Sequence, residues 1–155
     1  MENLKQDTAD LLNQLVEINN DRIEGYEKAI SLLSNEDNYG LQAIFEKYRD
    51  QSIQFKSDLV PLVFREGDKP TDETRTSGKL FRAWMEIKSA VTPYTAKAVL
   101  ESCERGEDEF KKVYKDALTK AQQAPLNMLS IIQSQANLQL QAHDHIKELR
   151  DNIES

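Results

Sequence analysis

Residues 67–91 read GDKPTDETRTSGKLFRAWMEIKSAV, and how this stretch is read decides the fold. Its first dozen residues are charged and carry glycine, proline and threonine, the composition of a linker. Ser77 then stands as a cap before Leu80, Trp84, Ile87 and Val91, an apolar stripe at helical spacing that predicts a short helix over about 78–91. Long amphipathic segments lie on both sides. Upstream, Leu12, Val16, Ile23, Tyr26, Ile30 and Leu33 predict helix A over about 4–34, and Leu41, Phe45, Tyr48, Phe55, Leu59 and Leu62 predict helix B over about 38–65. Downstream, Thr92-Pro93 reads as a cap and first-turn proline opening helix C over about 93–122, and Ala124-Pro125 restarts the pattern for helix D over about 125–153.

The connections between A and B and between C and D are only a few residues long, which makes each pair an antiparallel hairpin. The connection between B and C is far longer than a meander needs. Extended, the linker reaches nearly 40 Å and the short helix adds about 20 Å, against about 42 Å for a 28-residue helix. Residues 67–91 therefore run the length of the bundle, and B and C are expected to be parallel. The expectation is an all-α, ferritin-like four-helix bundle, with two antiparallel hairpins joined by a long crossover containing a short helix, as a single domain over 1–155.

Composition narrows the function classes. Five glycines and four prolines in 155 residues are too few turn-formers for a sandwich or barrel. A net charge of −7 repels phosphate backbones and anionic lipid, so neither nucleic acid nor a membrane surface is expected as a partner. The start, MENLKQDTAD, lacks the apolar run of a signal peptide and no stretch has the length of a membrane span, so the expected compartment is the cytoplasm. The lone Cys103 has no disulfide partner and reads as an inert core residue.

Each helix has a polar residue where its apolar series breaks: Asn19 in A, Ser52 in B, Glu107 in C, Gln135 and Gln139 in D. They are expected to share one level of the bundle. Burying an unpaired carboxylate costs several kcal/mol, so Glu107 must be paired, hydrated, protonated or metal-bound. A di-iron bundle uses inward glutamates and a Glu-x-x-His pair on each of two helices. Here the only histidines are His143 and His145, both in helix D, preceded at the relevant positions by Leu140 and Ala142, so no cofactor is expected. A degenerate metal site would draw on Glu104, Glu107 and His143 and take iron, manganese or zinc. The competing reading is a hydrogen-bonded core network with Arg22 or Arg49 reaching in, in which Glu107→Gln changes stability by only about 1 kcal/mol. Glu101, Glu104 and Asp108 read as a solvated or ion-paired stripe rather than a catalytic pair, since a closed bundle offers no evident cleft. Gly106, inside helix C on its apolar flank, predicts close packing by a large residue, Trp84 or Tyr26.

Glu104-Arg105-Gly106-Glu107-Asp108, then Arg82-x-Trp84 with Lys88 after it, and Ala142-His143-Asp144 leading to Leu149-Arg150-Asp151 together resemble the bacterial ferritin-like four-helix-bundle family catalogued as domain of unknown function 2383. The resemblance spans most of the chain. Where that family often has a histidine before the arginine of Arg-x-Trp, this chain has Phe81. The resemblance implies a ferritin-like fold without an assigned activity, and a stress-related role at family level. The reading that follows is a non-catalytic bundle acting through a protein partner or as a homo-oligomer. The alternative is a metal-binding or oxidant-handling protein with a degenerate mid-bundle site.

Overall fold

The structure is a computed structural model that describes residues 2–33, 38–73, 84, 86–87 and 95–153, with side chains from residue 6 onward. Four long helices follow one another: α1 (Glu2–Leu32), α2 (Tyr39–Arg65), α3 (Ala96–Lys120) and α4 (Leu126–Asn152). Helix C was expected to open at about residue 93. It opens instead at Ala96, because Thr95 is extended and its Oγ1 accepts the Ala98 N–H at 3.1 Å, satisfying one of the unpaired first-turn donors. Thr92 and Pro93 lie outside the described residues, as does most of the expected crossover helix; Trp84, Glu86 and Ile87 are helical.

Side-chain bonds between helices fix their directions. Along α1, Arg22 meets Ser52 at 3.0 Å and Ile30 accepts from Gln42 at 3.1 Å, so α1 and α2 are antiparallel. Asn19 and Arg22 meet Tyr114 and Glu107 in the reverse order, so α1 and α3 are antiparallel as well. Consequently α2 and α3 are parallel, and a connection as long as the bundle is required between them.

That connection begins where α2 stops. Gly67 has φ +84°, its N–H donates to Phe64 O at 2.9 Å, and Asp68 N–H reaches Val63 O at 3.2 Å. This is a Schellman ending, and its left-handed position suits glycine. The chain then runs along α1. Asn13 clamps it from both sides, donating to Lys69 O at 2.9 Å and accepting from Thr71 N–H at 3.0 Å. Two turns further along α1, Asn20 donates to Thr71 O at 3.2 Å and Glu73 O at 2.9 Å. Beyond these clamps, Trp84 is fully buried and Glu86 pairs with Arg105 of α3 at 2.5 Å. The described parts of the crossover therefore lie along α1 and against α3.

Candidate functional site

The inward polar residues lie near the middle of the bundle. Arg22 and Glu107, both fully buried, form a two-pronged ion pair: Nε donates to Oε1 at 2.6 Å and Nη2 to Oε2 at 3.0 Å. The remaining Arg22 Nη1 donates to Ser52 Oγ at 3.0 Å. The fork geometry of guanidinium matches a carboxylate, which is why arginine rather than lysine suits this position. The guanidinium carbon stands 5.1 Å from the ring centre of Phe110, 5.7 Å from Tyr26 and 5.9 Å from Tyr48, so aromatic faces complete its surroundings. Burial, the largest single influence, drives the Arg22 pKa downward, but Glu107, Tyr26 and Tyr114 together outweigh it and the net shift is upward.

A second set sits one turn away. Asn19 Nδ2 donates to Tyr114 Oη at 2.9 Å and to Leu15 O at 2.8 Å. Tyr114 Oη donates to Gln135 Oε1 at 2.7 Å, and Gln135 Nε2 donates to Phe55 O at 3.0 Å. Gln139 Nε2 donates to the Glu107 backbone carbonyl at 3.0 Å. The expected single layer is thus two chains of bonds at adjacent levels. Asn19 and Gln135 meet through the hydroxyl of Tyr114, while Ser52 and Glu107 meet through Arg22. Arg49 stays near the surface beside Asp50.

Arg22 also reverses the expectation for Glu107→Gln. With a guanidinium held two-pronged in a dry core, removing the carboxylate charge leaves a buried cation uncompensated, and the cost rises to about 3–5 kcal/mol.

The three residues considered for a degenerate metal site diverge. Glu107 is held by Arg22; Glu104 takes Arg150 at 3.2 Å; His143, itself buried, is taken up by two exposed carboxylates, with Nε2 2.5 Å from Asp108 and Nδ1 3.0 Å from Asp144. At mid-height one carboxylate already faces a permanent cation, and its neighbours are amides and hydroxyls. That donor set does not fit a di-metal centre, which needs several carboxylates and imidazoles converging on one point. Among the described residues no group of three or more His, Cys, Asp or Glu side chains is arranged to hold a metal ion.

Trp84 is packed between two glycines. A methyl group built on Gly106 would lie 2.5 Å from Cζ2 of the indole, and one built on Gly25 would lie 2.8 Å from Cδ2, both far inside van der Waals contact. The sequence reading placed a large residue against Gly106 and missed Gly25, although a second mid-helix glycine one position before Tyr26 was the available signal. Tyr26 also packs on the indole, with ring centres 5.3 Å apart. Cys103 is buried and its thiol is pushed well up, first by burial and then by Glu107, which leaves little thiolate for chemistry.

Two antiparallel hairpins, parallel α2 and α3 that require a connection between opposite ends, and a closed polar interior define the class: a ferritin-like four-helix bundle. A solved structure of a mutant Dps1 from Mycobacterium smegmatis superposes with a TM-score of 0.79 over 97% of this chain and 99% of that one, at 11% identity, a likeness of fold. The family model described as "Domain of unknown function (DUF2383)" matches residues 7–120, and the chain belongs to that family. No curated protein matches significantly. No helix among the described residues is long and apolar enough to cross a membrane.

Proposed function

We propose that this protein is a non-catalytic bundle that works without a bound metal, through contacts made by its surface. One observation carries the reading: the mid-bundle position where this fold class places metal-binding carboxylates is filled by the Arg22–Glu107 pair, braced by Ser52 and by Phe110. The guanidinium supplies the positive charge that Glu107 requires, and a divalent ion beside it would meet Coulomb repulsion in a medium of low dielectric. Among the described residues, nothing else in the interior offers a nucleophile or a general base open to a substrate.

The test is metal analysis of protein purified without chelator, joined to thermal unfolding with added Fe²⁺, Mn²⁺ or Zn²⁺. Well under one metal per chain and an unchanged melting temperature are expected. Stoichiometric metal that is lost in Glu107→Gln would establish the alternative, a metal-binding or oxidant-handling protein.

A further inference from the structure

A continuous line of aromatic rings runs from the crossover through the core to α4. Trp84 and Tyr26 stand 5.3 Å apart between ring centres, Tyr26 and Tyr48 6.2 Å apart, and Tyr48 meets His145 edge-on at 5.8 Å with its hydroxyl against Nδ1. Burial falls along the line. Trp84 and Tyr26 are fully buried, Tyr48 is 4% exposed and His145 is partly exposed. Separations this short let an electron tunnel from ring to ring, so what distinguishes the rings is where each can send a proton.

Among the described residues, Trp84 Nε1 and Tyr26 Oη have no hydrogen-bond partner. Loss of an electron would leave either ring positively charged in a medium of low dielectric, with no base to relieve it. Arg22 raises the cost further, standing 5.7 Å over the Tyr26 ring. Tyr48 differs. Arg22 at 5.9 Å and Lys47 at 5.7 Å disfavour a positive charge on its ring too, but its proton has a destination. Imidazole that carries its own hydrogen on Nε2 accepts the Tyr48 O–H at Nδ1. Burial, and then Glu107, push the Tyr48 hydroxyl pKa up, so at neutral pH the phenol still holds the proton that oxidation releases. Tyr114, also buried, donates to the amide oxygen of Gln135, a far weaker base than imidazole.

We infer that Trp84, Tyr26, Tyr48 and His145 form a relay that carries one oxidising equivalent, delivered by a small radical oxidant, out of the core to the Tyr48–His145 pair. The inference goes beyond the reading of a surface-acting bundle and draws on side chains alone. The oxidant takes one electron from Trp84 and is itself reduced by one. Tyr48 returns that electron to Trp84 through the Tyr26 ring, while its O–H bond breaks and an N–H bond forms at His145 Nδ1. Charge balances: the positive indole becomes neutral, and an imidazolium and a neutral tyrosyl radical replace it. Tyrosine that sheds its proton is easier to oxidise than tryptophan at neutral pH, which sets the direction. A thiolate in solution then gives back the electron and His145 the proton, restoring Tyr48 and leaving a thiyl radical.

The chain has a single tryptophan, so the relay can be started at one known ring. Trp84 in the full chain is photoionised by a flash at the red edge of the indole band, with hexaamminecobalt(III) present to remove the ejected electron, and transient absorption follows the radicals. The indolyl signal is expected to decay as the tyrosyl signal rises, with one shared rate constant. Tyr48→Phe should abolish the tyrosyl signal and prolong the indolyl radical by about tenfold or more, and Tyr26→Leu, which removes the intervening ring, should slow transfer by a similar factor. His145→Ala should slow it by about tenfold as well, and imidazole added to the buffer should restore the rate, as a purely structural role would not allow. A wild-type protein that forms no tyrosyl radical overturns the relay. So does a tyrosyl signal that survives Tyr48→Phe or vanishes in Tyr114→Phe, and slowing in His145→Ala that imidazole does not relieve overturns His145 as the base. Metal content bears only on the surface-acting reading, and radical kinetics only on the relay.

Discussion

The two sides of this bundle solve the same problem differently. On the α1/α3 side the crossover supplies a lid of the chain's own making: Asn13 and Asn20 hold its extended part, Trp84 fills the gap between Gly25 and Gly106, and the Glu86–Arg105 pair closes the surface. Away from the crossover, nothing among the described residues covers Leu126 of α4 or Ile53 and Phe64 of α2. A pair of amphipathic helices packed on another pair always leaves two outer faces, and a chain of this topology has one crossover with which to cover one of them. The covered side is therefore where substitutions should destabilise the monomer, and the bare side is where they should leave it alone.

The largest effect belongs to the ion pair at the centre, which both sides share. Glu107→Gln or Arg22→Met should lower stability by about 3–5 kcal/mol, since each leaves one buried charge without its partner. Arg22→Met combined with Glu107→Leu should recover most of that loss, because neither charge remains to be desolvated. Denaturant unfolding of the single and double variants checks this, and equal losses in both would mean that packing rather than charge governs the centre.

The Trp84 slot comes next. Gly106→Ala and Gly25→Ala should each destabilise by about 1–3 kcal/mol, because the ring cannot yield within a filled core. In a Trp84→Ala background the same Gly106→Ala should become neutral or stabilise by up to about 1 kcal/mol, as helix propensity alone dictates. A penalty that persists without the indole would show that another neighbour occupies the slot.

Smaller losses are expected at the clamps of the extended segment. Asn13→Ala removes two hydrogen bonds to the backbone around Pro70 and should cost about 1–2 kcal/mol; Leu126→Gln, at an exposed position of α4, should stay within about 0.5 kcal/mol. If both substitutions have the same effect on the monomer, the contrast between the two sides fails.

The smallest effect is a pH dependence at the α3/α4 edge. Burial lowers the His143 pKa, but hydrogen bonds to Asp144 and Asp108 outweigh it, and the folded value is raised above the ordinary one despite nearby Lys111. A histidine raised on folding contributes stability that is fully present below its unfolded pKa near 6.5 and is lost as pH climbs through the folded value. Stability should therefore decline slightly as pH rises from about 6.5, and His143→Gln should flatten that slope. An unaltered slope in the variant would move the effect to another group.

Much of this was open to reading in the sequence, for reasons that can be named. Apolar residues every three or four positions delimit four helices, because a helix that lacks this stripe has nothing to bury. The length of residues 67–91 implies parallel α2 and α3, because chain reach is fixed by bond geometry. The breaks at Asn19, Ser52, Glu107, Gln135 and Gln139 mark interior polar groups, because burial obliges each to find a partner. Gly106 marks a close approach, because a helix accepts glycine at a cost. Local signals were weaker at ends: Thr95 and Thr92 are equally good caps on paper, and the hydrogen bond to Ala98 picks the first.

What the sequence alone determined, then, is periodicity, reach and the obligation to pair. Only the tertiary structure decided who pairs with whom. Arg22 and Glu107 are 85 positions apart, Asn19 and Tyr114 are 95 apart, and no spacing rule links them. Trp84 needed Gly25 as well as Gly106, a conjunction of three segments that exists only once they are packed. Which outer face the crossover covers is likewise invisible to periodicity, since every helix in a bundle presents both an inner and an outer stripe. The side-chain clamps on α1 and the indole slot between α1 and α3 settle it.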